Sequence, residues 1–390
     1  MTELKRVRPS IAILVLCSAV QPFALNVLAP ATPAIAQALA TDYGTVQLTL
    51  TLYLGAVALA QLLVGPISDR AGRRPCIIAG LALFTLGSAL GSFASGLVPL
   101  LAARMLQAAG AGTAFALTRA IARDTGERDE AASLIGYVTM AMVVVPMLAP
   151  LVGGFIERTH GWRTIFVAMA LVGLIATTGA ILKLPETRPQ GLAAGGWLDA
   201  FRAFPVLARE RAFLAYAGGL AMTSSVFFAF IAGAPYAVIE HMKATPTTYG
   251  LFFITMSGSY MLGNFLTGRF GREVGAEKLA RIGNIMSVLG VGTAASMALL
   301  FAWTPALLFL PLMLNGVGNG LSIPTLTASA LSVRPDLAGA AAGLMGFVQL
   351  SLGALLSYIA GAFAPIWPPT FLMLMLAGTV LAFFAPRLNK

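Results

Sequence analysis

The sequence has 390 residues, of which 58% are hydrophobic and only 10% charged, and its mean hydropathy is +0.85. Soluble domains carry about 25% charged residues, so this composition excludes an ordinary soluble protein. The net charge of +10 does not indicate a nucleic-acid partner, because the cations are spread over alternate loops and form no single patch. The two cysteines, Cys17 and Cys76, lie within or at the edge of apolar segments and indicate neither a disulfide nor a metal site.

Twelve apolar segments are long enough to cross ~30 Å of hydrocarbon as helices. These predicted spans are 11–31, 45–68, 75–95, 97–121, 132–156, 162–183, 212–237, 248–268, 279–301, 305–329, 338–361 and 367–385. The first is expected to be a span and not a cleaved signal, because no small-residue cleavage site ends it and eleven similar segments follow. Lys and Arg concentrate in the N-terminus, the even-numbered loops and the C-terminus, which predicts that both termini are cytoplasmic.

The longest link is polar and rich in Pro, Gly and Arg, and it separates six spans from six. It predicts an N-terminal bundle 1–183, a cytoplasmic linker 184–211 and a C-terminal bundle 212–390. Short stretches also repeat between the halves at a shift of about 200 residues: 70–73 resembles 269–272, and 105–112 resembles 313–320. A parallel duplication of this kind is typical of transporters whose halves rock about a midplane site.

Between spans 2 and 3 lies a ten-residue motif, 65–74, which contains Gly65, Asp69, Arg70, Gly72, Arg73 and Arg74. It resembles the loop 2–3 signature of the major facilitator superfamily, G-x-x-x-D-R-x-G-R-R. Span number, loop lengths and the half-to-half repeat extend this resemblance over the whole chain. It implies an all-α integral membrane protein of the major facilitator fold, with 12 transmembrane helices in two pseudo-symmetric six-helix bundles.

The residues of this motif suggest a physical role. Gly65 can let span 2 approach a neighbouring helix closely, and Asp69, at the end of that helix, can pair with Arg73. We expect the motif to act as a charge latch that holds one face of the protein closed and breaks when the halves rock. The arginines are also expected to fix the topology.

Span 4 carries a second motif, formed by Arg104, Gln107, Gly110 and Gly112. It resembles the family signature R-x-x-Q-G, with Ala108 where the family usually has Gly. A guanidinium about two turns inside a membrane helix is costly unless it faces a wet cavity or finds hydrogen-bond acceptors, so Arg104 is a functional candidate. The alternative is that Arg104 extends to the outer membrane interface.

Span 5 contains Pro146, Pro150, Gly153 and Gly154. This segment is similar to the G-P-x-x-G-G signature of antiporters, although Ala149 replaces the first Gly. Proline kinks a helix and the glycine pair permits close packing against another span. The resemblance implies that this segment closes the cavity between the halves.

Further segments are similar to drug:proton antiporters of the bicyclomycin- and chloramphenicol-resistance type. They are 47–61 in span 2, 119–124 at the end of span 4 and 184–187 after span 6. This likeness implies efflux of small amphipathic organic compounds by alternating access, with a proton gradient as the energy source and no cofactor.

Those antiporters usually have an aspartate near the end of span 1, where this sequence has Asn26. Proton coupling needs a carboxylate that exchanges protons with the cavity, and all 15 acidic residues lie in loops or at helix ends. Three interpretations stay open. The protein is an uncoupled facilitator or anion-linked carrier, a helix-end acid such as Asp69 or Glu240 couples protons, or Asn26 is an engineered replacement of a natural Asp.

The resemblance to the major facilitator superfamily implies that spans 1, 4, 7 and 10 line the cavity, together with faces of spans 2, 5, 8 and 11. The side chains predicted to line it are Asn26, Tyr53, Gln61, Arg104, Gln107, Met142, Met222, Phe227, Phe230, Tyr236, Tyr260, Asn315, Asn319 and Gln349. An apolar pocket with a few amides and one Arg suits uncharged or amphipathic organic molecules.

An intramembrane enzyme would need a nucleophile with a base, paired carboxylates or metal ligands within the spans, and the sequence offers none. The second candidate function is a facilitator or exporter of one metabolite, such as a sugar or an organic anion, without intramembrane proton coupling. The expected partners are a small-molecule substrate and the lipid bilayer, with no nucleic acid. We expect a multi-pass monomer in a bacterial inner membrane.

Overall fold

A computed structural model describes the backbone of residues 10–124, 128–187 and 203–385. Within these ranges the side chains of 66, 122–124, 128–143, 272, 336 and 338 are not described. Both termini, the central part of the predicted linker and the side chain of Met142 therefore lie outside the described residues.

In this part of the chain twelve helices of 15 residues or more follow one another, one for each predicted span. They are α1 Ile11–Val27, α2 Leu48–Ala71, α3 Arg73–Ser92, α4 Leu97–Asp124, α5 Arg128–His160, α6 Trp162–Lys183, α7 Arg211–Pro235, α8 Pro246–Val274, α9 Ala276–Leu300, α10 Pro305–Val333, α11 Ala338–Phe363 and α12 Thr370–Phe384. Within the described residues, nine apolar segments, in α1–α4, α6, α7 and α9–α11, are long and apolar enough to cross a membrane. The predicted all-α membrane fold is confirmed.

Glycine, proline and threonine set several helix boundaries. Gly72, Gly161 and Gly275 separate consecutive helices with φ values of +98°, +80° and +86°, a backbone conformation that glycine adopts without strain. Thr245 and Thr304 cap the starts of α8 and α10, and a proline follows each of them at the first helical position.

The turn after α8 corrects one detail of the predicted repeat. The sequence pairs Gly72 with Gly271, but Gly271 lies inside α8 and the chain turns only at Gly275. Gly275, not Gly271, is therefore the conformational counterpart of Gly72. The shift is one helical turn, which the similarity of the basic stretches alone does not reveal.

The packing of the helices repeats between the halves. In the first half α2 and α3 pack on α4, α1 packs on α5, and α3 packs on α6. The equivalent contacts in the second half are α8 and α9 on α10, α7 on α11, and α9 on α12. The two halves meet through α5 against α8 and α2 against α11. Because successive helices run in opposite directions, the bundle has two ends. We call them the Arg73 end, where α2 ends and α3 begins, and the Asp42 end, where α2 begins.

Candidate functional site

A cavity of about 420 Å³ lies between the two halves. Helices α7, α8, α10 and α11 form most of its wall, and α4 and α5 complete it. The lining residues are Arg119, Pro146, Leu220, Ser224, Phe227, Phe228, Met256, Ser257, Tyr260, Gly316, Asn319, Ile323, Thr327, Leu331, Ala342, Met345, Gly346 and Gln349. On each helix of the second half they recur three or four positions apart, so each helix turns one face to the cavity. The volume is in the range of small-molecule sites.

The cavity wall extends from the middle of the bundle to the Arg73 end. Phe228 and Gly316 lie well inside α7 and α10. Leu331 lies in the last turn of α10, and Ala342 lies near the start of α11, both at the Arg73 end.

Four of the side chains predicted to line the cavity lie on this wall: Phe227, Tyr260, Asn319 and Gln349. The wall also contains Pro146 of the span-5 motif. Arg119, Ser224 and Met256 line it too, although the sequence did not single them out as cavity residues. A single Ser or Met in an apolar helix does not indicate by itself that the residue lines a cavity. Arg119 lies in the segment 119–124, which the sequence marks only as similar to drug:proton antiporters. Contact between these residues and a substrate stays a prediction.

Arg104 and Gln107 lie in a buried polar cluster inside the first half, not on the described cavity wall. Arg104 is only 1% exposed, and its guanidinium lies 4.2 Å from the ring centroid of Tyr53. It donates hydrogen bonds to the side-chain oxygen of Gln107 and, at 3.3 Å, to the carbonyl oxygen of Ala24. Gln107 in turn donates to the hydroxyl of Ser88 at 2.7 Å. Arg104 thus finds acceptors within the bundle and does not extend to the interface.

The position of Ala24 near the end of α1 explains why its carbonyl oxygen can accept a hydrogen bond from Arg104. The last four carbonyl groups of a helix lack intrahelical partners, and α1 ends at Val27, so the Ala24 oxygen is available. The side chain of Asn26 donates a 2.8 Å hydrogen bond back to Pro22 in the same helix. Its other amide atom, Oδ1, is buried and accepts no hydrogen bond from the described residues.

The other predicted lining residues lie around the cavity. Phe230 is fully buried in an aromatic cluster, with ring centroids 6.1 Å from Phe253, 5.6 Å from Phe309 and 6.3 Å from Phe371. This cluster fills the second half between the described cavity and the Asp42 end. Among the remaining predicted residues, Tyr236 lies at the Asp42 end, and Gln61 points towards Gly346 of α11. Met222 is half-buried in α7. Asn315 is buried, and neither atom of its amide group is hydrogen-bonded to a described residue.

The glycines of the span-4 motif lie where helices touch. A Cβ on Gly110 would overlap the backbone of Gly80 and Phe84 in α3, and one on Gly112 would lie 3.1 Å from Val57 in α2. These positions let α4 pack closely on both neighbours.

The two span-5 glycines lie at two helix contacts: Gly153 where α5 packs on α1 of the same half, and Gly154 where α5 packs on α8 of the other half. A Cβ on Gly153 would overlap the carbonyl group of Val27 at the end of α1, and one on Gly154 would overlap the backbone of Pro246 at the start of α8. On the α8 side, Gly250 lies equally close to Leu151. The segment that resembles the antiporter signature therefore packs two helices of different halves together at the Asp42 end.

Hydrogen bonds also join the halves at the Asp42 end. The carbonyl oxygen of Ala232 in α7 accepts from the hydroxyl of Tyr43 at 2.7 Å and from the side chain of Gln47 at 3.1 Å. Gln37 donates to Glu240 at 3.1 Å. The halves are in contact at this end, while the cavity reaches the other.

The loop 2–3 motif forms an ion pair within the first half. Arg73 lies 2.8 Å from Asp69 and also donates to the hydroxyl of Ser68. Gly65 differs from the expectation: in the described residues a Cβ there would meet open space, so no helix approaches α2 closely at Gly65 in this conformation. Arg70 and Arg74 flank the ion pair, and Arg74 donates to the carbonyl oxygen of Ile181 at 2.8 Å. The latch function stays a prediction.

Glu186, which follows α6, holds this motif in place. Its carboxylate accepts the backbone N–H groups of Arg73 at 2.9 Å and Arg74 at 3.2 Å, at the start of α3. A carboxylate at a helix N-terminus satisfies free donors and interacts favourably with the helix dipole. The sequence marked 184–187 only as a family likeness, because a contact across more than 100 residues leaves no local pattern.

Arg119 is the one charged side chain on the described cavity wall. Its guanidinium lies 4.4 Å from the ring centroid of Phe115, one turn earlier in α4. In the described part of the chain, no group of three or more His, Cys, Asp or Glu side chains is placed to hold a metal ion.

The sequence matches the Major Facilitator Superfamily over residues 14–358. The chain belongs to the Major Facilitator Superfamily. It is 32% identical to a chloramphenicol resistance protein of Pseudomonas aeruginosa over 80% of this chain and 72% of that protein. It is 28% identical to a bicyclomycin resistance protein homolog of Haemophilus influenzae over 87% of this chain and 85% of that protein. The predicted likeness to this type of major facilitator protein is confirmed.

The xylose transporter XylE of Escherichia coli, in a partially occluded inward-open conformation, has the same fold. Its structure superimposes with a TM-score of 0.73 at 15% identity, over 96% of this chain and 95% of that one. This major facilitator protein is therefore a multi-pass membrane transporter, and proteins of this class bind small molecules within the membrane.

Proposed function

We propose that this major facilitator protein exports small amphipathic organic compounds across the bacterial inner membrane by alternating access. The relatives named for resistance to chloramphenicol and bicyclomycin support the substrate class. We further propose that the Arg73 end is cytoplasmic, because Lys and Arg concentrate in the loops at that end.

One observation carries this proposal. The cavity is lined by both halves and reaches the Arg73 end, while the hydrogen bonds of Tyr43 and Gln47 join the halves at the Asp42 end. This is the arrangement of a carrier that loads from the cytoplasm and has its outer exit closed. One chain supplies both halves of the cavity, so the transporter is proposed to work as a monomer.

We propose a proton gradient as the energy source. The described cavity wall contains no carboxylate, and Asn26 stands where the related antiporters have an acid. Glu240 is the helix-end acid best placed to couple a proton, since it accepts a hydrogen bond from Gln37 of the other half. This contact joins the two halves, so we propose that it forms and breaks as the halves rock.

Efflux assays in a host that lacks its own pumps test the function. We expect the chain to raise tolerance to several unrelated amphipathic drugs, and Ser257→Trp, which fills the cavity wall, to abolish that gain. Ser296→Trp, on the exposed face of α9, is the matched control and should keep it. Unchanged tolerance with Ser257→Trp would contradict the proposed site.

The second candidate is a facilitator or exporter of one metabolite without proton coupling. The observation in its favour is the same lack of a carboxylate on the described wall. The two functions separate in one comparison: broad drug tolerance supports the exporter, whereas growth that depends on a single sugar or organic anion supports the facilitator.

A further inference from the structure

Two amide side chains lie on the described cavity wall, and they differ in how they are held. Gln349 of α11 is half-buried and forms no hydrogen bond with the described residues. Asn319 of α10 is only 5% exposed, and its Oδ1 atom accepts a 3.3 Å hydrogen bond from the hydroxyl of Ser287 in α9. Ser287 is itself buried, so this bond lies inside the bundle. Asn319 is therefore a fixed group on the wall, whereas Gln349 is free to change rotamer.

The bond from Ser287 orients the amide group of Asn319. Because Oδ1 is directed to α9, Nδ2 is the part of the amide that is left for the cavity. Nδ2 donates no hydrogen bond to the described residues, and they do not enclose it, in contrast to the hydroxyl of Ser224 on the same wall, which is fully buried without a partner. An amide nitrogen has two N–H donors. The wall thus offers a fixed and unused donor to a molecule in the cavity.

Close packing of α8 on α10 places two side chains of α8 beside this donor. A Cβ on Gly316, one turn before Asn319, would overlap the backbone oxygen of Met256, and a Cβ on Gly320 would overlap the backbone oxygen of Tyr260. Met256 and Tyr260 both line the cavity. The stretch of α8 between them therefore runs alongside Asn319.

Aromatic and methionine side chains form an apolar surface on the same wall. Phe227 of α7 is half-buried, and its ring centroid lies 5.8 Å from that of Phe228 in an edge-to-face contact. Aromatic rings pack well on one another in offset or edge-to-face arrangements. Met256 and Met345 also lie on this wall, and methionine side chains adapt to molecules of different shape. An aromatic body suits this surface.

We propose that Asn319 determines substrate specificity: its Nδ2 group donates a hydrogen bond to an acceptor oxygen of the substrate, such as a ketone or amide oxygen. An aromatic part of the substrate packs on Phe227 and Met256. Ser287 is a positioning residue, because it holds the amide of Asn319 with its N–H groups turned to the cavity. This inference rests on the proposed function and narrows its substrate class from amphipathic compounds in general to aromatic compounds that carry such an oxygen.

The selectivity comes from the cost of leaving the donor unpaired. A ligand that displaces water from an N–H group must replace the lost hydrogen bond. A carbonyl oxygen replaces it, whereas a hydrocarbon group of the same shape leaves a desolvated N–H group without an acceptor. Because Asn319 is held in place before the ligand arrives, the bond costs little conformational entropy.

Two probes of nearly the same shape test this inference: 2-acetylnaphthalene, which has a C=O group, and 2-isopropenylnaphthalene, which has a C=CH2 group in its place. Their dissociation constants are measured by equilibrium dialysis with the full chain in lipid nanodiscs, and empty nanodiscs of the same lipid are the blank. We define the ketone preference as the dissociation constant of the alkene divided by that of the ketone. The alkene partitions more strongly into lipid, but this effect cancels when variants are compared.

Three variants assign the ketone preference to its source. Asn319→Leu removes the donor and keeps a side chain of similar size, so the preference should fall about fivefold. Ser287→Ala leaves the donor but releases the amide group, so the preference should fall about twofold. Asn264→Leu is the matched control. It removes an amide of α8 that bonds to the backbone of its own helix and is not on the described cavity wall, so the wild-type preference should remain.

The outcomes separate this inference from the proposed function. If both probes bind and neither Asn319→Leu nor Ser287→Ala lowers the ketone preference, the inference is wrong and the exporter proposal stands. If Asn319→Leu does not fold, Ser287→Ala, which loses a single hydroxyl, gives the answer by itself. If neither probe binds to the wild-type protein, the inference is also wrong, and the drug-tolerance assay tests the exporter proposal separately.

Discussion

The hydroxyl of Tyr43 donates a 2.7 Å hydrogen bond to the carbonyl oxygen of Ala232, 189 positions further along the chain. That oxygen is available because α7 ends there: the N–H of Tyr236 bonds to the oxygen of Gly233 and not to that of Ala232. Gln47 uses the same oxygen at 3.1 Å. One carbonyl oxygen of the second half thus accepts hydrogen bonds from two side chains of the first half at the Asp42 end.

Tyr43→Phe removes one of these two bonds and keeps the ring, which lies 4.9 Å from that of Tyr236. A hydrogen bond contributes about 1 kcal/mol, so the equilibrium should shift about fivefold towards states open at the Asp42 end. Spin labels on cysteines introduced at Ala38 and His241, with Cys17 and Cys76 replaced by Ala, report the separation of the halves by pulsed electron paramagnetic resonance.

We expect a longer-distance population to grow in Tyr43→Phe. Tyr358→Phe changes an exposed tyrosine of α11 and is the matched control. An identical distance distribution in Tyr43→Phe and the wild type would show that this bond does not hold the end closed.

The sequence predicted the helices well and the contacts between them poorly, for a physical reason. Runs of about twenty apolar residues reveal a membrane helix by length alone. They reveal little about its rotation, because a helix that is apolar all round has no polar face to mark its orientation. Arg104 was therefore placed on the cavity wall by resemblance, whereas the structure turns it towards Tyr53 and α1. Tyr43 and Gln47 were missed as a pair because their acceptor is a backbone atom.

The Arg104 cluster is expected to be a major source of stability for the first half. Gln107→Leu removes the side-chain acceptor of a buried guanidinium and leaves the Ser88 hydroxyl without its donor. A hydrogen bond to a charged group contributes about 1.5–3 kcal/mol, so the melting temperature of the purified protein should fall by several degrees.

Tyr53 separates two contributions within this cluster. Tyr53→Phe keeps the aromatic face for Arg104 and loses only the 3.3 Å bond from its hydroxyl to the Gln21 oxygen, so its cost should be small. Tyr53→Leu removes the cation–π contact as well and should cost clearly more. Equal melting temperatures for Tyr53→Phe and Tyr53→Leu would contradict a stabilising role for that contact.

Asn26→Asp tests the missing carboxylate. Asp has nearly the same shape as Asn, and the Oδ1 atom of Asn26 accepts no hydrogen bond from the described residues. A protonated Asp therefore loses no hydrogen bond at that oxygen, and its ionised form depends on opening of the site to water. We expect the variant to gain substrate antiport driven by an imposed pH gradient in proteoliposomes. Asn319→Asp, which places an acid on the cavity wall elsewhere, is the control for charge alone. Unchanged substrate flux in Asn26→Asp under the gradient would defeat this idea.

Asp42 makes a pH-dependent contribution to the stability of the protein. Its carboxylate accepts from the side-chain hydroxyl of Thr45 and, at 2.8 Å, from the backbone N–H of Thr45, and it caps the short helix Tyr43–Val46 that carries Tyr43. These bonds hold the pKa of the Asp42 carboxyl below its usual range, with the bond from the Thr45 hydroxyl as the largest cause. A pKa that is lower in the folded state means that the unfolded chain binds the proton first. The stabilisation is therefore present above a pH of about 4 and is lost as the pH falls through the folded-state pKa.

Asp42→Asn keeps a capping oxygen but cannot titrate, so its melting temperature should fall less than that of the wild type between pH 5 and pH 3. Because other acids titrate equally in both proteins, the difference between the two curves isolates Asp42, and parallel curves would show that its carboxylate adds no stability.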